Sequence, residues 1–295
     1  MRNEFMIAHD FSLKPYNSMR IDAEAETIYM PYTTKGVIEL FEKCSDYGFQ
    51  IIGNGSNIIF AKKKYASPIV LTHLLNRLSF EGDSIVAQCG VSLSALSWFA
   101  LEKSVSGYEY LEDIPGSVGG ALFMNAGTYE NCIGDQVHTV TVYDFTEKKV
   151  MELSGHDLRS YWGRRNSYFQ HHHTFIIECA LDTKAKGDYL KILETMLEIK
   201  KKRYAKQPRE YPSAGSVFKR PYIHGEPRYI WQLMDEAGLR GYRIGDAQVS
   251  EKHPGFIVNV GEATGKDVVA LMNYCKDTIK KKFDITINEE WEILS

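Results

Sequence analysis

Apolar residues recur at helical spacing between residues 34 and 47, where Val37, Ile38, Leu40, Phe41 and Cys44 share one stripe and Gly48 supplies a stop. The apolar runs then shorten. Gln50-Ile51-Ile52 reads as a strand that enters the polar, glycine-rich Gly53-Asn54-Gly55-Ser56-Asn57 and leaves it as Ile58-Ile59-Phe60. That puts the polar piece at a turn between two extended segments. Strands are predicted over 68–72 and 84–89, and a helix over 93–101. A second glycine-rich stretch, Ile114-Pro115-Gly116-Ser117-Val118-Gly119-Gly120, leads to Asn125-Ala126-Gly127. From 137 to 181 the pattern is mostly β, alternating at Val137, Thr139, Val140 and Val142 and filling to an apolar run over 175–181.

The character changes near Gly187. Residues 189–204 form an amphipathic helical pattern with Leu190, Leu193 and Leu197 on one side, and Lys200 to Arg203 at the end, where cations favour the carbonyl dipole. Gln207-Pro208 and Tyr211-Pro212 then punctuate the chain and mark a domain boundary. Beyond it the pattern predicts a helix over 230–237, a strand over 256–260, a helix over 266–280 and a last strand. Thr264 with Asp267 three residues on is a capping-box signature. Strands and helices do not alternate strictly, so the expected class is α+β rather than a doubly wound parallel sheet.

Composition narrows the partners. A chain of 295 residues suggests about two domains. A core of that size folds without disulfides or a structural metal. Thirty-five basic against 38 acidic residues leave a formal charge of -3, without the basic excess of a nucleic-acid binder. No apolar run approaches the roughly 18 residues of a membrane span, and residues 1–10 show no leader pattern, so a soluble cytoplasmic protein is expected. Five cysteines, Cys44, Cys89, Cys132, Cys179 and Cys275, stand singly and read as reduced thiols. His171, His172 and His173 are adjacent, and adjacent side chains on an extended chain point to opposite faces, a poor chelate. No metal is expected.

The two glycine-rich turns carry the chemical clue, because backbone approaches a phosphate closely only where side chains are absent, and successive N–H groups form an anion nest. Neither turn has the spacing of a Rossmann or P-loop motif. Taken singly, each also reads as an ordinary hairpin turn. Together they point to a nucleotide cofactor.

With these segments in order, the chain resembles the UDP-N-acetylenolpyruvoylglucosamine reductase family, the flavoenzymes of peptidoglycan synthesis also called UDP-N-acetylmuramate dehydrogenases. Lys14 to Ile21 resembles the family's opening segment, Gly53 to Ile59 its first FAD loop, and Ile114 to Ala121 with Asn125 to Gly127 its second. Trp162-Gly163-Arg164-Arg165-Asn166-Ser167 is similar to its F-G-Y-R-N-S, and Pro212 to Phe218 reads P-S-A-G-S-V-F. Ala237 to Gly241, Val249 to His253 and Asn288 to Glu290 follow in the family's order. The short interval between Ser167 and Gly215 resembles the shorter, second type, which lacks a long tyrosine-bearing insertion.

The resemblance implies a two-part FAD-binding region of the vanillyl-alcohol-oxidase type, residues 1–67 and 68–205, and a substrate-binding domain over 206–285, with the strand at about 286–295 returning to the first part. It implies reduction of UDP-N-acetylglucosamine enolpyruvate to UDP-N-acetylmuramate by an NADPH- or NADH-reduced flavin. That reaction serves cell wall biogenesis, and through it cell shape and division, and is carried out by a cytoplasmic monomer with no nucleic-acid or membrane partner. Arg165, Ser216 and Glu290 correspond to the catalytic residues: a guanidinium for the developing anion, a proton donor and an acid. Gly53, Asn54, Gly55, Ser56, Asn57, Ile58, Ile114, Pro115, Gly116, Ser117, Gly119, Gly120, Asn125 and Gly127 correspond to the FAD site. Lys206, Arg240, Lys252 and His253 correspond to substrate contacts.

The chain departs from the family at Asp22 and Asp113, where glycine is usual. A carboxylate near a pyrophosphate costs affinity, and a non-glycine residue is strained where φ must be positive. These departures leave open an FAD- or nucleotide-sugar-binding paralogue with lost or altered activity.

Overall fold

The computed structural model describes residues 4–44, 48–128, 131–223 and 225–295. Strands β1 (Phe5–Ser12) and β2 (Glu24–Pro31) precede helix α1 (Thr34–Lys43). Six short strands follow: β3 (Gln50–Ile52), β4 (Ile58–Phe60), β5 (Lys64–Tyr65), β6 (Ile69–Leu71), β7 (Leu78–Glu81) and β8 (Ser84–Gln88). Next come α2 (Leu93–Glu102), α3 (Val118–Met124), β9 (Val137–Asp144), β10 (Lys149–Ser154), the single turn α4 (Gly155–Leu158), β11 (Thr174–Asp182) and α5 (Tyr189–Lys206). The chain continues through β12 (Ser213–Ser216), β13 (Tyr222–Ile223), β14 (Glu226–Pro227), α6 (Ile230–Glu236), β15 (Arg243–Ile244), β16 (Ala247–Val249) and β17 (Phe256–Asn259). It ends with α7 (Gly265–Phe283) and β18 (Glu292–Leu294). The class is α+β.

Contacts divide the chain into two compact units of interleaved segments. The first comprises Met1–His9, Thr27–Asn54 and Ser67–Lys202, the second Asp10–Glu26, Gly55–Ala66 and Arg203–Ser295. The three parts expected from the sequence are consecutive stretches defined by role, whereas these units are defined by packing.

Two sheets lie wholly or mainly in the first unit. One has the order β1-β2-β6-β3, with β6 parallel to both β2 and β3. The other is antiparallel, ordered β10-β9-β11-β8-β7. A single core joins them to α1, α2 and α3 through Val37, Leu40, Phe41, Val70, Leu96, Leu122, Val140 and Phe175. Phe41 lies at its aromatic centre, with ring centroids 4.8 Å from Phe145 and 5.1 Å from Phe175. Truncating such a ring costs about 3–5 kcal/mol, which places much of this unit's stability on the α1 stripe.

In the second unit the antiparallel sheet β12-β17-β16-β15 packs with α7. That helix buries Val268, Leu271, Met272, Cys275 and Ile279 at i, i+3, i+4, i+7 and i+11. Its capping box forms: Asp267 N donates to Thr264 Oγ1 and Thr264 N to Asp267 Oδ2. Strand β18 runs parallel to β4, with Glu292 opposite Ile58.

The sequence pattern departs from the structure at three places. Residues 118–124, where the sequence reads a glycine-rich turn and no element, are a helix. Two glycines cost such a helix about 1 kcal/mol each, and bonds from Val118 N to Val91 O and Gly119 N to Cys89 O, both 2.8 Å, hold it. The β-rich region between 137 and 181 is interrupted by helical turns at 155–161 and 168–170. β1 and β2 escape the pattern because β1 is mostly exposed and lacks alternation. Positions 45–47 of the first predicted helix lie outside the described residues. Among the described residues no helix is long and apolar enough to cross a membrane. Burial pushes the Cys89 and Cys275 thiols up to about 12, so both stay protonated at neutral pH.

Candidate active site

Of the first glycine-rich turn, Gly53 and Asn54 belong to the first unit, and there Gly53 meets the second turn. A Cβ on Gly53 would overlap Ser117 Oγ, so the first loop approaches the second only because Gly53 has no side chain. Ser117 is buried, and its hydroxyl accepts the Gly120 N–H that would otherwise be unpaired at the start of α3. The two loops differ in what they leave for a ligand. In α3 the amides of Val118, Gly119 and Gly120 are spent on Val91 O, Cys89 O and Ser117 Oγ. In the first loop the N–H groups of Asn54, Gly55 and Asn57 donate to no acceptor among the described residues. Gly55 has φ +58°, and a Cβ there would overlap Tyr16 O of the opening segment. Successive unspent amides around a left-handed residue form an anion nest, and the first loop has them.

The residues present fit FAD. Besides that nest, the buried Tyr110 hydroxyl, four residues before Ile114, and Trp162 Nε1 have no hydrogen-bond partner among the described residues. Burial pushes the Tyr110 hydroxyl well above its ordinary range, so it remains a donor. Ile114 closes a turn onto Leu111 O, Gly116 has φ +148°, and Gly127 bridges to Cys132. Neither Asp22 nor Asp113 has positive φ, so neither substitution strains the backbone. Asp22 is paired with Lys63, which offsets its charge.

Arg165 sits in a tight turn. Gly163 and Asn166 exchange both backbone hydrogen bonds at 3.1 Å, with Arg164 and Arg165 between them. Arg165 takes φ +56°, where L-residues other than Gly, Asn and Asp are disfavoured by about 1–2 kcal/mol. The surroundings over-determine this conformation. Asn125 Nδ2 donates to Gly163 O at 2.8 Å, while Asn125 Oδ1 accepts from Gly134 N. Ser167 Oγ and Gln170 Nε2 both donate to Phe123 O at 2.7 Å, and Gln170 Nε2 also reaches Arg165 O at 3.2 Å. Asn166 Nδ2 donates to Tyr161 O, and His171 Nε2 lies 2.7 Å from Asn166 Oδ1. The side chain of Asn125, expected at the cofactor, thus ties the end of α3 to the arginine turn. Gln170 was not singled out in the sequence, since nothing in its spacing marks a side chain that bridges two carbonyls.

The second unit brings the end of β12, at Ser216, beside the segment that carries Glu290. Ser213 pairs with Val258 and Ser216 with Phe256, so β12 carries one extra residue, accommodated by Gly215 at φ +80°. Such a bulge re-aims the following side chain. Ser216 is exposed between buried Ala214 and buried Val217 and Phe218. The carboxyl-terminal segment locks beside it: Glu290 N donates to Val217 O at 2.8 Å, Lys219 N to Asn288 O at 2.8 Å, and Trp291 Nε1 to Ala214 O at 2.8 Å. Asn57 of the first loop then clamps Glu290, donating through Nδ2 to Glu290 O and accepting from Glu292 N, both at 2.9 Å.

Glu289 and Glu290 are not equivalent. Glu289 lies 2.6 Å from Lys276 Nζ, and that hydrogen bond holds its carboxyl below the usual carboxylate range.

The expected substrate contacts divide. Lys206 is exposed at the end of α5 with no partner among the described residues. Lys252 Nζ donates to Tyr204 O at 2.9 Å. Arg240 forms a two-pronged pair with Asp235, both bonds 2.7 Å, and also donates to Glu251 O. Burial pushes the His253 pKa below its ordinary value, and Nδ1 accepts from Gly255 N, which leaves Nε2 to carry the ring proton.

Comparison with known proteins agrees with this layout. The model of the UDP-N-acetylenolpyruvoylglucosamine reductase C-terminal domain matches residues 207–294, and that of an FAD binding domain matches residues 25–154. The UDP-N-acetylenolpyruvoylglucosamine reductase of Petrotoga mobilis is 39% identical over 289 residues, covering 95% of this chain and 92% of that protein. The one from Geobacillus kaustophilus is 36% identical and covers 98% and 93%. The crystal structure of the Thermus caldophilus reductase is similar with a TM-score of 0.80 at 27% identity, covering 99% of each chain.

Proposed function

The chain belongs to the UDP-N-acetylenolpyruvoylglucosamine reductase family, and from that membership we propose that it reduces UDP-N-acetylglucosamine enolpyruvate to UDP-N-acetylmuramate in peptidoglycan synthesis. The observation that carries the reading is the joining of the Ser216 bulge to the Glu290 segment, with Asn57 of the nest-forming loop clamped to the same peptide. Bound FAD, reduced by NADPH or NADH, supplies the hydride.

The chain's own residues do the rest. Hydride addition to the vinyl carbon pushes negative charge onto the carboxylate-bearing carbon and its oxygens. Arg165, always charged and forked, stabilises that charge. Ser216 delivers the proton to the enolate carbon, a step open to a hydroxyl because that carbon is strongly basic. Glu290 is the acid that faces the substrate carboxylate. Glu289 is unsuited to that task, since its pairing with Lys276 favours the ionised form.

Lys206 meets the diphosphate. His253 donates through Nε2, while Arg240 and Lys252 hold the loop that carries it. By role, residues 1–67 and 68–205 form the FAD-binding parts and 206–285 the substrate-binding part. The enzyme works in the cytoplasm as a monomer.

Glu290→Gln and Glu289→Gln separate these assignments. Glu290→Gln should lower substrate-dependent NADPH consumption about 10²-fold or more, and Glu289→Gln by no more than about threefold. Equal losses would overturn the choice of Glu290. Glu289 should instead appear in a stability profile. Its folded pKa is depressed, so its contribution is present above the ordinary carboxylate value of 4.5 and lost as pH falls through the folded value. The parent's melting temperature should therefore fall more steeply with acid than that of Glu289→Gln, the two curves converging at low pH.

A further inference from the structure

Two residues before Ile114, the second loop begins with a buried carboxylate. The Glu112 side chain is 2% exposed; its Oε1 lies 2.8 Å from Lys200 Nζ on α5, and its Oε2 accepts from Ser94 Oγ on α2 at 2.6 Å. Lys200 is itself half exposed, its long stem reaching in from the helix surface. The neighbouring residue on α2 is attached to the same loop, since Leu93 N donates to Gly116 O at 3.1 Å. The stretch between Leu111 and Gly116 is thus fastened at both ends, to α2 and to α5.

A buried ion pair is a poor device for stability alone, because desolvation offsets most of the attraction and apolar replacements often serve as well. It is a good device for geometry, because a carboxylate with a cation on one oxygen and a hydroxyl on the other has one satisfactory position. We propose that Glu112, held by Lys200 and Ser94, is a positioning residue for the flavin loop, setting the path of residues 113–119 for FAD. This rests on the reading of that loop as an FAD contact. Lys200→Met leaves the buried Glu112 carboxyl without its cation, a cost the loop relieves by shifting to rehydrate it. Replacing the carboxyl at the same time removes that cost.

The test is FAD titration of the flavin-stripped full chain, followed by quenching of flavin fluorescence. Lys200→Met should raise the FAD Kd about tenfold or more, and the double variant Glu112→Gln/Lys200→Met should recover to within about threefold of the parent. Lys202→Met on the same helix, which loses only an exposed pair with Glu198, should leave the Kd unchanged. At saturating FAD, kcat should stay within about twofold, as befits a residue that acts on loading rather than on chemistry. A lowered melting temperature with an unchanged FAD Kd would show that the pair serves stability only and would overturn the assignment. If Lys200→Met does not fold, Glu112→Gln alone carries the comparison: a Kd raised about threefold supports the assignment and an unchanged Kd overturns it. A parent chain that takes up no FAD would instead bring down the flavin reading beneath it.

Discussion

Ser216→Ala should slow reduction of the enolpyruvyl substrate by about 10⁴-fold while leaving flavin reduction by NADPH within about twofold of the parent. The substitution removes little else. The Ser216 hydroxyl is exposed and makes no hydrogen bond among the described residues, and the bonds that seat the Glu290 segment run through the backbone of Ala214 and Val217. Melting temperature should therefore hold. Rapid mixing with NADPH, then with substrate, separates the two half-reactions. Loss of both would contradict the proton-donor role and point to a damaged flavin site.

The second large effect is at Arg165, where activity and stability should move in opposite directions. Arg165→Gly should cost about 10²- to 10³-fold in substrate reduction, since no other donor replaces a forked cation at the developing anion. The same change relieves a left-handed conformation unfavourable for arginine, so the protein should gain about 0.5–1 kcal/mol and melt about 1–3 °C higher. Arg165→Lys keeps the charge but neither the fork nor the relief, and should lose activity without being stabilised. Gln170→Ala, which removes the donor to Arg165 O and one of the two donors to Phe123 O, should cost about tenfold in kcat by loosening the turn. Activity that survives in Arg165→Gly would remove the guanidinium from the mechanism.

The legible parts of the fold are those whose signals are local. The α7 capping box, the α1 stripe and the strands flanking the first loop could be read directly, because a cap, a helical period and a glycine-rich break each act within a few residues. Helix α3 could not, since Gly119 and Gly120 argue against a helix and the bonds that hold it come from Val91 and Cys89, nearly thirty residues away. Likewise, Glu112 finds its cation 88 positions along the chain. The candidate site divides in the same way. Glycine content alone located both loops, but only the order of the family's motifs assigned roles to Arg165, Ser216 and Glu290. The pattern showed neither that the first loop keeps its amides unspent nor that Asn125 braces the arginine turn. Both depend on where carbonyls from other elements arrive.

The most direct test is a single turnover. Purified protein loaded with FAD and bleached anaerobically with one equivalent of NADPH is mixed with UDP-N-acetylglucosamine enolpyruvate, and the yellow flavin band is followed. Its rapid return with stoichiometric UDP-N-acetylmuramate is the expected result; a flavin that stays bleached, with substrate unchanged, would contradict the account.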